Sequence, residues 1–149
     1  MTEPLRVLLV EDEALILMQL EMLLEDAGHS VVGTAMTASA GSALLRETRP
    51  ELVFVDLRLA EGSSGLDVAR TASDLGGIAC VFITANPRQL GDDLAGAAAV
   101  IAKPFSGGVL EDTLAFLEQA LRRPPPSLAV PHGMVLAPAF LANWAPAEG

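Results

Sequence analysis

The chain has 149 residues, 51% of them apolar, and nineteen acidic against nine basic residues give a formal net charge of -10. This length and apolar fraction fit one domain with a single core and exclude a fibrous or disordered chain. The negative charge argues against direct nucleic-acid binding, which depends on cations that neutralise phosphates. A single cysteine excludes an internal disulfide, and no apolar run reaches the ~18 residues of a membrane helix. We expect a soluble, cytoplasmic protein that contacts no membrane.

Apolar, strand-like runs alternate with amphipathic stretches through residues 1–123. In chain order, the predicted strand and helix pairs are 5–10 with 14–27, 31–35 with 38–48, 52–56 with 64–75, 78–84 with a weak helical piece at 90–94, and 98–102 with 108–121. The strand runs are continuously apolar, as expected for strands that are covered by helices on both faces. The sequence therefore predicts a doubly wound, five-stranded parallel sheet with right-handed crossovers.

The last 26 residues have a different composition. Residues 124–149 contain six of the ten prolines and a single charged side chain, Glu148, so we place the domain boundary near Arg123. This Pro-rich tail is richer in apolar residues than a disordered linker; they are Val130, Met134, Val135, Leu136, Phe140, Leu141 and Trp144. Three alternatives stay open: the tail packs on its own domain, reaches a neighbouring molecule, or binds a partner.

Polar side chains collect where the predicted strands end, which is where doubly wound sheets place their functional sites. They are Glu11, Asp12 and Glu13 after the first strand, Asp56 after the third, Thr84 after the fourth and Lys103 after the fifth. Clustered carboxylates repel one another unless a cation joins them, and Mg²⁺ prefers such oxygen ligands. The simpler interpretation of the first three acids is that they stabilise a helix N-terminus.

Lys103 is the only lysine in the chain, whereas eight positions carry arginine. This choice favours a role for a compact, flexible point charge, although an ordinary surface lysine also fits. Thr84 on its own fits a residue that ends a strand. Together, the residues predict a phosphoryl-transfer site with an aspartate nucleophile, Mg²⁺ and an ammonium that pairs with phosphoryl oxygens. No P-loop or dinucleotide-binding glycine motif competes with this interpretation.

The segments Val10-Glu11-Asp12-Glu13, Asp56, Thr84-Ala85 and Lys103-Pro104-Phe105 resemble the receiver domain of two-component response regulators. The resemblance covers residues 5 to about 122 and implies a flavodoxin-like fold. It implies that Asp56 is the phosphoacceptor, that Thr84 is the switch hydroxyl and that Lys103 pairs with the phosphoryl group. It further implies a Mg²⁺ site in which Asp12 is a direct ligand, Glu11 acts mainly through metal-bound water, and Asp56 and the backbone carbonyl of Arg58 are further ligands. It also implies a cis bond before Pro104.

Segments 26–29, 59–65 and 82–85 are most similar to receivers of general stress response regulators that also carry a sigma-factor-like domain. No such domain is found in this sequence, so we expect a stand-alone receiver that signals by protein contacts or phosphorelay. The resemblance implies a histidine kinase or a histidine phosphotransfer protein as the partner. It also implies no enzymatic activity beyond the protein's own aspartyl phosphorylation and dephosphorylation. A haloacid-dehalogenase-like phosphatase would need an aspartate where Arg58 stands, and an interaction module with a vestigial site remains the alternative.

Two features depart from the receiver pattern. Val100 stands where many receivers have an aromatic residue that couples the site to the surface. Arg58 and Asn86 occupy positions that tune phosphoryl loss in the family, and we expect Arg58 to shield the group from water.

The first helix has two apolar arcs. Ile16, Leu20, Leu23, Leu24 and Ala27 are predicted to face the core, while Leu15, Met18 and Met22 form a second arc. Methionine adapts to varied partners, so we expect this second arc to bind a helical partner. Burial of this arc by the chain's own tail is the alternative. The arc and the tail also leave a homodimer open.

Overall fold

The computed structural model describes residues 4–122, 124, 126–131 and 133–138. Six strands form one sheet in the order β2-β1-β3-β4-β5-β6. The strands are β1 (Arg6–Val10), β2 (Ser30–Ala35), β3 (Leu52–Asp56), β4 (Ala79–Thr84), β5 (Ala99–Ala102) and β6 (Met134–Leu136). The helices are α1 (Ala14–Asp26), α2 (Ala38–Thr48), α3 (Gly65–Leu75) and α4 (Gly107–Arg122). The first five strands are parallel, which confirms the predicted flavodoxin-like α/β fold.

Side chains that alternate along the strands divide the core between the two faces of the sheet. One face packs against α2 and α3, through residues such as Val53, Val55 and Phe82. The opposite face packs against α1 and α4, through residues such as Phe54, Val81 and Ile83. The central strands are therefore fixed from both sides, which holds their carboxyl ends in place.

The predicted helical piece at 90–94 is wrong. A 3₁₀ turn at Pro87–Leu90 and a turn with left-handed backbone at Leu94–Gly96 take its place. Gly91, Leu94 and Ala95 all have positive φ angles, which no right-handed helix can include.

The core arc of α1 is confirmed except at its last residue. Leu20 and Leu24 are buried, and Ile16 and Leu23 pack partly against the same cluster. Ala27 is exposed, because α1 ends at Asp26 and Gly28 turns the chain away with a φ of 86°.

Part of the tail joins the domain's own sheet as a sixth strand beyond the five predicted. Strand β6 runs antiparallel to β5, and the N–H of Ala137 donates to the carbonyl of Ala98 at 2.8 Å. Met134 and Leu136 are buried, whereas Val135 faces outward. Residues 134–137 thus pack on their own domain. The predicted boundary at Arg123 and the apolar residues Phe140, Leu141 and Trp144 lie outside the described residues.

No described helix is long and apolar enough to cross a membrane.

Candidate functional site

The site forms at the carboxyl edge of the sheet, where the ends of β1, β3, β4 and β5 meet. The N–H of Glu11 donates to the Ala35 carbonyl at 2.9 Å, so this residue continues the pairing of β1 with β2. The N–H of Lys103 donates to the Thr84 carbonyl at 2.9 Å, which fixes the residue after β5 beside β4. These backbone hydrogen bonds hold Glu11, after β1, and Lys103, after β5, at the carboxyl edge of the sheet.

Three carboxylates lie together there. Glu11, Asp12 and Asp56 each offer an oxygen atom within 4.8 Å of the other two. Glu11 and Asp56 are buried, and Asp12 is half-buried. Burial raises the pKa of Glu11 to about 7, partly opposed by hydrogen bonds from the Glu13 N–H and from Lys103. Ionisation of these clustered carboxylates is costly, and a divalent cation bound among them would stabilise their charged form. Mg²⁺ prefers hard oxygen ligands of this kind, so these residues fit Mg²⁺.

The ammonium of Lys103 lies among these acids. Its Nζ atom is 2.8 Å from Asp56 Oδ2, 3.0 Å from Glu11 Oε1 and 2.7 Å from Glu13 Oε2. Burial favours the neutral amine, but the three carboxylates outweigh it and hold the pKa of Lys103 above its usual value. Lys103 is therefore a permanent cation beside Asp56. The peptide bond between Lys103 and Pro104 is cis, as the resemblance implies.

The remaining predicted residues surround Asp56. The Arg58 N–H donates to Asp56 Oδ1 at 3.3 Å, so the backbone of Arg58 lies next to the acid while its side chain is exposed. Thr84 is buried, and its Oγ1 accepts the N–H of Asn86 at 3.1 Å. All six predicted site residues thus lie at this edge.

Gly65, at the start of α3, allows α3 to approach β3 closely. A Cβ atom on this residue would lie 2.1 Å from the Asp56 carbonyl oxygen. No side chain fits in this space, so α3 can lie this close to the backbone of Asp56 only with glycine at this position.

The sequence assigned no separate role to Glu13. Glu13 is the N-cap residue of α1, yet its carboxylate contacts Lys103 instead of the helix N-terminus. Sequence spacing alone did not reveal this contact, because it joins residues 90 positions apart.

Residues 7–115 match the response regulator receiver domain, and the chain belongs to this family. It is 40% identical over 123 residues to the phyllosphere-induced regulator PhyR of Methylorubrum extorquens, an alignment that covers 78% of this chain and 46% of PhyR. The chain therefore spans about half the length of this curated relative.

Solved structures agree with this assignment. The receiver domain of PhyR from Erythrobacter litoralis has a TM-score of 0.70 at 33% identity and covers 84% of this chain and 97% of that domain. A further PhyR structure, described as a stress response regulator, has a TM-score of 0.62 at 30% identity and covers 74% of this chain and 43% of its own. These similarities confirm the predicted resemblance to receivers of stress response regulators.

Proposed function

We propose that this protein is a two-component response regulator that accepts a phosphoryl group on Asp56 from a phosphohistidine. The observation that supports this proposal most directly is the buried Asp56 carboxylate, 2.8 Å from the Lys103 ammonium and beside two further acids. A lysine cation next to a buried carboxylate can pair with oxygens that the carboxylate acquires. The chemistry takes place in the cytoplasm, and the protein catalyses only its own aspartyl phosphorylation and dephosphorylation.

In the proposed step, an oxygen of Asp56 attacks the phosphorus of the phosphohistidine. The new P–O bond forms as the P–N bond breaks, and the histidine nitrogen keeps the electron pair and takes up a proton. Lys103 pairs with one phosphoryl oxygen, and the hydroxyl of Thr84 donates to another. Glu11, Asp12, Asp56 and the carbonyl of Arg58 would hold Mg²⁺, which would supply positive charge that offsets the carboxylates and the phosphoryl oxygens.

Acetyl phosphate provides the first test, because it is a small phosphoryl donor that needs no partner protein. We expect an intact-mass shift of one phosphoryl group that requires Mg²⁺ and is absent in Asp56→Asn. A shift that persists in Asp56→Asn would refute the assignment of the phosphoacceptor. Full biological activity of Asp56→Asn would favour the alternative, an interaction module that works without phosphorylation.

We also propose that the outer arc of α1 binds the helical bundle of a histidine kinase or phosphotransfer protein. Leu15, Met18 and Met22 are 81%, 57% and 62% exposed. They follow one face of the helix that begins directly after Glu13, so a partner seated on them would stand next to Asp56. Three large apolar side chains exposed together are typical of a binding surface.

The double variant Leu15→Lys, Met18→Lys tests this surface. We expect slower phosphotransfer from a cognate kinase with unchanged labelling by acetyl phosphate, because only the first reaction needs docking. Met36→Lys is the matched control, since Met36 is also exposed but lies outside α1. Equal kinase rates for the parent and the double variant would contradict the proposal.

A further inference from the structure

Lys103 contacts an exposed acid as closely as it contacts the buried Asp56. Its Nζ atom is 2.7 Å from Glu13 Oε2 and 2.8 Å from Asp56 Oδ2, although the Glu13 side chain is 59% exposed and the Asp56 side chain only 9%. An exposed glutamate has many conformations open to it, so burial does not force this contact. The ammonium therefore holds the Glu13 carboxylate in this contact while most of the side chain stays exposed.

The position of Glu13 in the chain makes the contact more informative. Glu13 is the N-cap of α1, and its side chain makes no capping hydrogen bond. The first turn of α1 contains no other acid that could complement the helix dipole. The Glu13 carboxylate thus bonds to Lys103, 90 positions away in the chain, and does not cap the helix.

We propose that Glu13 is a positioning residue that competes with Asp56, and with any phosphoryl group that Asp56 carries, for the Lys103 ammonium. This inference rests on the proposed function of Asp56. An anion added at Asp56 must either draw the Lys103 ammonium away from Glu13 or share the ammonium with it. Glu13 therefore lowers the affinity of the site for a phosphoryl group at Asp56.

The test compares two substitutions that separate contact from charge. Glu13→Gln removes the charge, whereas Glu13→Asp keeps it on a side chain about 1.5 Å shorter. Aspartate is also a preferred N-cap whose carboxylate bonds to the N–H groups of the first turn. Both variants should release Lys103, although only one of them loses the charge.

The probe is beryllofluoride, a phosphoryl mimic, titrated at saturating Mg²⁺ and followed by ¹⁹F NMR. We expect both variants to bind it about two- to fivefold more tightly than the parent, the range given by an exposed ion pair. Glu61→Gln is the matched control, because Glu61 is an exposed acid in the loop that follows β3 and forms no ion pair with Lys103. The affinity of Glu61→Gln for beryllofluoride should equal that of the parent.

Each other result counts against the proposal. Parent-like affinity of Glu13→Asp, with tighter binding by Glu13→Gln, would show that Glu13 acts through its charge and not through the contact. Unchanged affinity in both variants would overturn the inference while leaving the role of Asp56 intact. A parent that binds no beryllofluoride with Mg²⁺ would overturn the proposed function first, and this inference with it. In a Lys103→Gln background, the gain from Glu13→Gln should disappear, as a double-mutant cycle requires of coupled residues.

Discussion

Replacement of Gly65 by alanine should damage both the fold and the site. An alanine Cβ would lie 2.1 Å from the Asp56 carbonyl oxygen and 2.9 Å from Val55 Cγ2. An ordinary carbon–oxygen contact needs about 3.3 Å, so the two backbones must separate by roughly 1 Å. The Gly65 N–H also donates to the Leu57 carbonyl at 2.8 Å, so this movement would strain that bond as well.

A side-chain rotation cannot relieve the shortest contact, because it joins a Cβ atom fixed to the backbone of residue 65 and the backbone carbonyl oxygen of Asp56. Overpacking costs about 1–3 kcal/mol, and a weakened hydrogen bond adds about 1 kcal/mol. We expect Gly65→Ala to lower the free energy of unfolding by about 2–4 kcal/mol. Displacement of Asp56 should also weaken beryllofluoride binding in the fraction that stays folded.

Urea denaturation followed by circular dichroism measures the first effect. Gly107→Ala is the matched control, since no heavy atom lies within 4 Å of its added Cβ and Gly107 is the first residue of α4. Its unfolding free energy should stay within about 1 kcal/mol of the parent. A Gly65→Ala midpoint equal to that of the parent would refute the argument that this close approach leaves no room for a side chain.

Three further predictions concern pH, phosphoryl lifetime and the tail. Burial lowers the pKa of His29 below 6.5, and its neutral Nδ1 accepts the Leu5 N–H at 3.0 Å. The neutral imidazole therefore stabilises the folded state fully above pH 6.5. This contribution to the free energy of unfolding is lost as the pH falls towards the folded-state pKa. Between pH 7 and pH 5.5, urea denaturation should therefore show a larger stability loss in the parent than in His29→Gln, and equal losses would contradict the assignment. Arg58→Ala should shorten the half-life of the aspartyl phosphate about two- to fivefold if the side chain shields it from water, as radiolabel loss would measure; equal half-lives would exclude that role. Leu136→Ala should lower the free energy of unfolding by about 2 kcal/mol because Leu136 is buried in β6, whereas Val135→Ala should change it by less than about 0.5 kcal/mol. Matching denaturation midpoints for these two variants would show that β6 does not stabilise the domain.

Local patterns were sufficient for most of the architecture. Continuous apolar runs such as 52–56 predict strands buried on both faces, and the same runs end on the residues that form the site. Asp56 and Lys103 could be placed together because parallel strands carry their carboxyl ends to one edge. The succession of strands and helices along the chain and the chemistry at the strand ends thus depend on periodicity and residue type, which a sequence displays directly.

Long-range packing decided what remained. Glu13 could serve as an ordinary helix cap by sequence, and only the folded chain brings Lys103 within 2.7 Å of it. The close approach at Gly65 depends on the distance between α3 and β3, which no local pattern records. Strand β6 forms because β5 leaves a sheet edge with unpaired backbone groups and the tail can reach it. Sequence therefore determined which groups would meet at the carboxyl edge of the sheet, whereas the tertiary structure decided which of them contact the same ammonium, because those contacts depend on distances between residues far apart in the chain.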